Sequence, residues 1–301
     1  MTLSTFGYAG EAAALTASVC WTATSFLFAQ AARVTKPLGM NMFRLPFAAV
    51  CLGTILWFSS GSVIPAGATP KQFGFLALSG FLGLAFGDGF YFRSLHLIGP
   101  RRATLLSAST PIITALLAVP LCGESLRLVT WLGIIIATGG IVWVIAEQHE
   151  NGQPVAHLKA GVIFGLMGAL GQASGMIMAK VAMQGTMPAV NAAFFRMFFS
   201  GAMVWAWAAM TGNLTRIQPV FQNRSAFRPL LVASLLGPVM GVSLVMFAYR
   251  TTEAGVVATL STLYPVFVVP VVWLRGDDTP SFRTIAGTLI AIGGVALIFL
   301  R

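Results

Sequence analysis

The chain has 301 residues, 57% of them hydrophobic, with 18 basic and 8 acidic side chains and a net charge of +10. Charged residues make up only 9%, against about 25% in a soluble globular protein. That is too few to cover a water-facing surface, which argues against a soluble enzyme, a disordered chain or a nucleic-acid-binding domain and leaves a polytopic membrane protein.

A spanning helix needs about 20 mostly apolar residues. In chain order such runs cover 10–31, 38–58, 73–95, 102–121, 130–147, 160–183, 188–210, 229–250, 255–274 and 283–300. They are continuously apolar, without in/out alternation, so helices are expected and a β-barrel is not. The longest connections, 59–72, 148–158 and 211–228, are too short for a soluble domain. No cleavable leader is read at the start, and the first helix is expected to be retained. Cys20, Cys51 and Cys122 lie in or beside apolar runs with no CxxC and no metal-ligand spacing. They read as inert thiols, and neither a metal nor a cofactor is expected.

The chain repeats itself. With a shift of 154 residues, Gly83, Gly87, Ser107 and Pro111 fall on Gly237, Gly241, Ser261 and Pro265. Thr130, Gly133, Ala137, Gly139 and Gly140 fall on Thr284, Gly287, Ala291, Gly293 and Gly294. Segment 80–140 has nine glycines and segment 234–294 has seven, and five coincide. Shared composition alone would align about one, so the repeat is real. With a shift of 152, Arg44 in MFRLPF falls on Arg196 in FFRMFF. Residues 1–150 and 151–301 are therefore two five-helix halves. An odd number of crossings turns the second half upside down, the inverted-topology plan of many secondary transporters, whose substrate site lies near the midplane between the halves. Small-residue steps such as Gly83-x-x-x-Gly87, Gly161-x-x-x-Gly165 and Gly171-x-x-x-Gly175 suit close helix packing. Pro111 and Pro265, near the middle of the fourth and ninth helices, are expected to kink them.

Two stretches carry a family resemblance. They are GPRRATLLSASTPIITALLAVPLCGESLRLVTWLGIIIATGGIVWV in the first half and EAGVVATLSTLYPVFVVPVVWLRGDDTPSFRTIAGTLIAIGGVAL in the second. Both resemble the duplicated unit of the drug/metabolite transporter superfamily, in particular its EamA family. The features are a small-residue start to the fourth helix, a mid-helix proline, Gly123-Glu124 at its end, then a glycine and a Gly-Gly-hydrophobic step. The second half departs at the Gly-Glu position, where Asp277-Asp278 stand. The resemblance implies a ten-helix secondary transporter, commonly an exporter of small metabolites such as amino acids.

Ionisable groups at helix depth are expensive and are functional candidates by default. Asp88 stands first, inside GLAFGDGFYF, with Tyr91 and His96 expected on the same stripe. It could bind a substrate ammonium, carry a proton, or serve as a paired structural acid. Arg44 and Arg196, at equivalent places in the second and seventh helices, could each clamp a carboxylate or snorkel. Lys180 and Arg93 lie closer to helix ends, where snorkelling is expected; Arg250 and Glu253 border a turn. Trp21, Gln172, Tyr249 and Tyr264 are polar-tipped groups at plausible pocket depth. One acid beside one or two arginines would suit a zwitterion.

Two arguments about orientation disagree. The resembled family keeps its termini in the cytoplasm. Outside the helix interiors, however, four bases lie on the side of the termini (Lys71, Arg127, Arg250, Arg301) and ten on the other (Arg33, Lys36, Arg101, Arg102, Lys159, Arg216, Arg224, Arg228, Arg275, Arg283). The positive-inside rule favours termini outside, the family habit favours termini inside, and the sequence leaves the orientation open with a slight lean to the charge count.

The leading reading is a secondary transporter in a cell membrane, expected to be a bacterial inner membrane, working by alternating access on a small-molecule substrate, driven by a proton or substrate gradient, with Asp88 the candidate for proton coupling. There is no GxxxxGK[ST] and no room for an ATPase domain. A lipid flippase or a membrane scaffold is the alternative. An intramembrane enzyme fits poorly: the histidines are His96, His149 and His157, and no GxSxG is present. Oligomeric state is not readable from the sequence.

Overall fold

The structure is a computed structural model that describes residues 8–146, 157–275 and 281–300. Most of the predicted loop 148–158, with His149, and the Asp277-Asp278 pair lie outside the described residues, as does Arg301. Among the described residues there is no strand, and ten helices are long and apolar enough to cross a membrane. They are α1 (Ala9–Ala32), α2 (Pro37–Ser60), α3 (Pro70–Ile98), α4 (Arg102–Cys122), α5 (Leu128–Ile145), α6 (Leu158–Ala182), α7 (Ala189–Met210), α8 (Arg224–Thr251), α9 (Ala254–Val271) and α10 (Phe282–Phe299). The protein is thus a multi-pass membrane protein of two inverted five-helix halves.

Local chemistry sets several boundaries. Thr69 caps α3: its side chain accepts from the Gln72 amide N–H, and the Gln72 side chain accepts from the Thr69 N–H, with Pro70 opening the helix. The left-handed Gly61 and Gly123 end α2 and α4, with φ of 69° and 68°. The predicted loop 211–228 departs most from expectation. It contains a helical turn at Leu214–Ile217, a short helix at Gln218–Gln222 and the start of α8 at Arg224. That first stretch of α8 is amphipathic: Arg224, Ser225 and Arg228 are exposed while Ala226, Pro229 and Leu230 are buried. Its polar face hid it from a search for apolar runs. Helical bonding runs through the α3–α4 turn. The chain nevertheless doubles back there, because the hydroxyls of Tyr91 and Thr104 meet at 3.2 Å, whereas thirteen residues of straight helix would rise about 20 Å.

The halves pack about a pseudo-two-fold axis, each helix on its counterpart or crossing as its counterpart crosses. α2 lies on α7, α4 on α9 and α5 on α10, while α3 crosses α6 as α8 crosses α1. At the α5–α10 contact, Gly140 faces the backbone of Ala291 and Gly294 faces the backbone of Ala137. These two contacts exchange under the 154-residue shift, which requires a two-fold relation between the halves. With lipid on the outside there is little hydrophobic drive between helices, so close backbone approach carries the packing.

Neither α3 nor α8 is regular throughout. Each contains a seven-residue π-helical segment, Phe81–Gly87 and Leu235–Gly241, at positions related by the same shift. α4 and α9 are each interrupted for two residues, at 108–109 and 262–263. Pro111 and Pro265 are each the second residue of the helix that restarts, Thr110–Cys122 and Tyr264–Arg275. A proline has no amide hydrogen to give there and needs none.

Candidate functional site

The site is built where α3 crosses α6. Glycines make the crossing possible. A Cβ on Gly171 would lie 2.7 Å from the Cα of Gly87, and one on Gly175 would lie 2.8 Å from the amide nitrogen of Gly83. The π-helical segment of α3 sits at this contact, the kind of irregularity often found at functional positions. It ends at Asp88. Gln172 of α6 joins the two helices: its Nε2 donates to the Gly83 carbonyl at 2.9 Å and to Asp88 Oδ1 at 2.6 Å.

Two arginines complete the cluster. Arg44 Nη2 of α2 lies 3.6 Å from Asp88 Oδ2, and its guanidinium stands 5.4 Å from the centre of the Phe28 ring. Arg196 of α7 enters from the other half. Its guanidinium lies over Gly83, where a Cβ would come 2.8 Å from Nη2, and its Nη1 donates to the Met176 sulfur at 2.8 Å. The Nε atoms of Arg44 and Arg196 are both buried without a hydrogen-bond partner.

The cluster is graded along the bundle. Arg44 stands about 10 Å inside the end opposite the termini, and Arg196 about the same depth from the terminal end. Asp88 and Gln172 lie between them. The side chains of Arg44 and Asp88 are 21% and 17% exposed, whereas Arg196 and Tyr249 are 1% and 2% exposed. Arg44 and Asp88 are thus the more exposed part of the cluster, and Arg196 and Tyr249 the buried part. Tyr249 lies beyond Arg196, within electrostatic reach of it and of Glu124.

The remaining expected residues stand apart from Asp88. Tyr91 meets Thr104, and Tyr264 lies near Tyr91 with its carbonyl accepting from the Thr22 hydroxyl at 3.2 Å. These groups form a second polar band. His96 is exposed, and so is Arg93. Trp21 of α1 packs its Nε1 on Gly241, 2.9 Å from where a Cβ would be. That is the α1–α8 counterpart of Gln172 on Gly87, so Trp21 occupies the site's symmetric shadow in the other half.

One group of residues was not read as a site from the sequence. Lys180 was expected to snorkel, but its ammonium is held inside the protein. Nζ lies 2.6 Å from Glu124 Oε1 and donates to the Thr252 carbonyl at 2.5 Å. Glu124 Oε2 accepts from the Ala254 amide at 2.8 Å, and the Thr252 hydroxyl meets Glu11 Oε2 at 3.3 Å. This network ties α1, α4, α6 and the α8–α9 turn together at the terminal end. It borders an open cavity of about 740 Å³ lined also by Arg127, Arg250 and Glu253. Removing one partner of a buried pair leaves an uncompensated charge, at a cost of about 3–5 kcal/mol. Glu124→Ala should therefore lower thermal stability strongly, and adding Lys180→Met should recover part of the loss. Equal or additive losses in that double-mutant cycle would count against the pairing.

Among the described residues, no group of His, Cys, Asp and Glu could hold a metal ion. What the centre can do chemically is bind: a carboxylate, two guanidiniums and an amide converge on a polar spot between the halves.

Comparison with known proteins fits this plan. The family model described as the EamA-like transporter family matches residues 8–146 and again 159–300. The UDP-galactose transporter homolog 1 of Saccharomyces cerevisiae is 28% identical over 100 residues, a stretch that spans 33% of this chain and 29% of that protein. A crystal structure shares the fold over 97% of this chain and 98% of its own, with a TM-score of 0.79 at 17% identity. The chain belongs to the EamA-like transporter family, whose unit it carries twice.

Proposed function

We propose that this protein is a secondary transporter that moves small metabolites such as amino acids outward across a cell membrane, a bacterial inner membrane by our reading, by alternating access between its two halves. The observation that carries this is the Arg44–Asp88–Gln172 cluster, placed at the crossing of the halves and partly exposed. Polar groups at that depth are retained at a cost and mark solute paths. The buried Arg196 and Tyr249 stand between this cluster and the cavity that the Lys180–Glu124 network lines at the terminal end. The end opposite the termini, nearer Arg44, carries ten of the fourteen bases outside the helix interiors, which makes it cytoplasmic by the positive-inside rule. A solute would then load from the cytoplasm and leave on the side of the termini, the direction of export. Asp88 serves as the proton-carrying group of the cycle. The membership in a transporter family supports the reading as well.

Reporter fusions after residue 301 test the orientation: activity on the outer side is expected, and activity confined to the cytoplasm contradicts it. Cells that overproduce the protein should release labelled amino acids faster than cells without it. An unchanged release rate for every amino acid tried contradicts export of this class.

A further inference from the structure

The central cluster holds more positive charge than negative. Arg44 and Arg196 bring two guanidiniums, and Asp88 is the one carboxylate in contact with them among the described residues. Toward the terminal end the Lys180–Glu124 pair is internally balanced, and Glu11 is held there at the Thr252 hydroxyl, outside this cluster. Both arginines are also short of acceptors. Their Nε atoms are buried and unpartnered, and Arg196, 1% exposed, donates from Nη1 to the thioether of Met176. A thioether is a weak acceptor. A guanidinium offers a fork that matches a carboxylate, and a buried unmatched charge is costly.

We infer that the cargo of the central site is a small organic acid with one net negative charge. This deepens the transporter reading and rests on it. A neutral zwitterion would leave the surplus in place, and a cation would enlarge it. A monoanion cancels it. An amino acid with an acidic side chain uses every group present, its carboxylates reaching Arg44 and Arg196 and its ammonium reaching Asp88.

The test uses the full chain in lipid nanodiscs, with thermal stability followed at constant ionic strength. The probes are matched pairs, glutamate with glutamine and aspartate with asparagine, together with lysine. One acid should stabilise the protein at a concentration about tenfold or more below that needed for its amide, as expected for charged hydrogen bonds. Arg196→Gln should erase this preference. Because loss of a fully buried arginine can prevent folding, Arg44→Gln, at the more exposed of the two positions, provides a second variant with the same expectation. Asp88→Asn, which raises the surplus, should keep the acid preferred over the amide. The inference is overturned if amides or lysine bind as well as the acids, or if neither arginine substitution changes the preference. If no probe of any charge alters stability, the central site is not the carrier site, and the transporter reading of it falls first.

Discussion

Asp88→Asn is expected to reduce transport by about a hundredfold while the protein still inserts and folds when checked by chromatography in detergent. The reasoning starts from the crossing of α3 and α6. Gln172 Nε2 holds both Asp88 Oδ1 and the Gly83 carbonyl, so the carboxylate ties the π-helical segment of one half to a helix of the other. It also faces Arg44 and lies in the field of Arg196. The amide keeps the shape and one hydrogen bond but removes the negative charge that faces those two guanidiniums. It also removes any proton that could be taken up and released there. The residual transport should therefore lose its dependence on pH, whereas Asp88→Glu should keep part of both rate and pH dependence. Unchanged rate and unchanged pH dependence in Asp88→Asn would remove this residue from the cycle.

The second large effect concerns packing, and neighbouring glycines supply the control. Gly139-Gly140 and Gly293-Gly294 are equivalent pairs on α5 and α10. A Cβ on Gly140 or Gly294 would run into the backbone of Ala291 or Ala137, while one on Gly139 or Gly293 meets nothing within 4 Å. Backbone cannot move aside as a side-chain tip can. Gly140→Ala and Gly294→Ala should thus destabilise by about 3 kcal/mol each, the upper range for overpacking. Gly139→Ala and Gly293→Ala should be neutral or slightly stabilising, because glycine costs a helix about 1 kcal/mol relative to alanine. Thermal melts in one detergent decide it: equal behaviour of the adjacent positions would contradict the α5–α10 contact.

Much of the architecture was legible because it is periodic. Ten apolar runs mark ten spans, and the coincidence of glycines such as Gly83 with Gly237 revealed the duplication. From the odd helix count the inversion followed. What escaped is what depends on the partner and not on the residue. A π-helical segment has no side-chain signature, so Phe81–Gly87 and Leu235–Gly241 read as ordinary helix, although their glycines were already aligned. Lys180 looked like a residue near a helix end, because nothing nearby in sequence says that Glu124 and the Thr252 carbonyl will reach it. Asp88, Tyr91 and His96 fit one stripe on paper. In the folded chain Gln172 takes Asp88, the α3–α4 turn brings Thr104 to Tyr91, and His96 stays on the surface. The depth of Arg44 and Arg196 was readable; the difference in their exposure, 21% against 1%, comes from the asymmetry of the two ends and could not be read from equivalent positions. The amphipathic opening of α8 was lost for the opposite reason: its polar face made it look like loop.

The most direct measurement follows two cargoes in the same vesicles. The purified protein is reconstituted in liposomes loaded with labelled amino acids and doped with a fluorescent phospholipid. Saturable, competable movement of at least one amino acid, with no acceleration of lipid exchange between leaflets, is the result expected of a carrier with a small polar site between its halves. Lipid exchange accelerated by the protein with no movement of any polar solute would contradict it and would make the bundle a flippase.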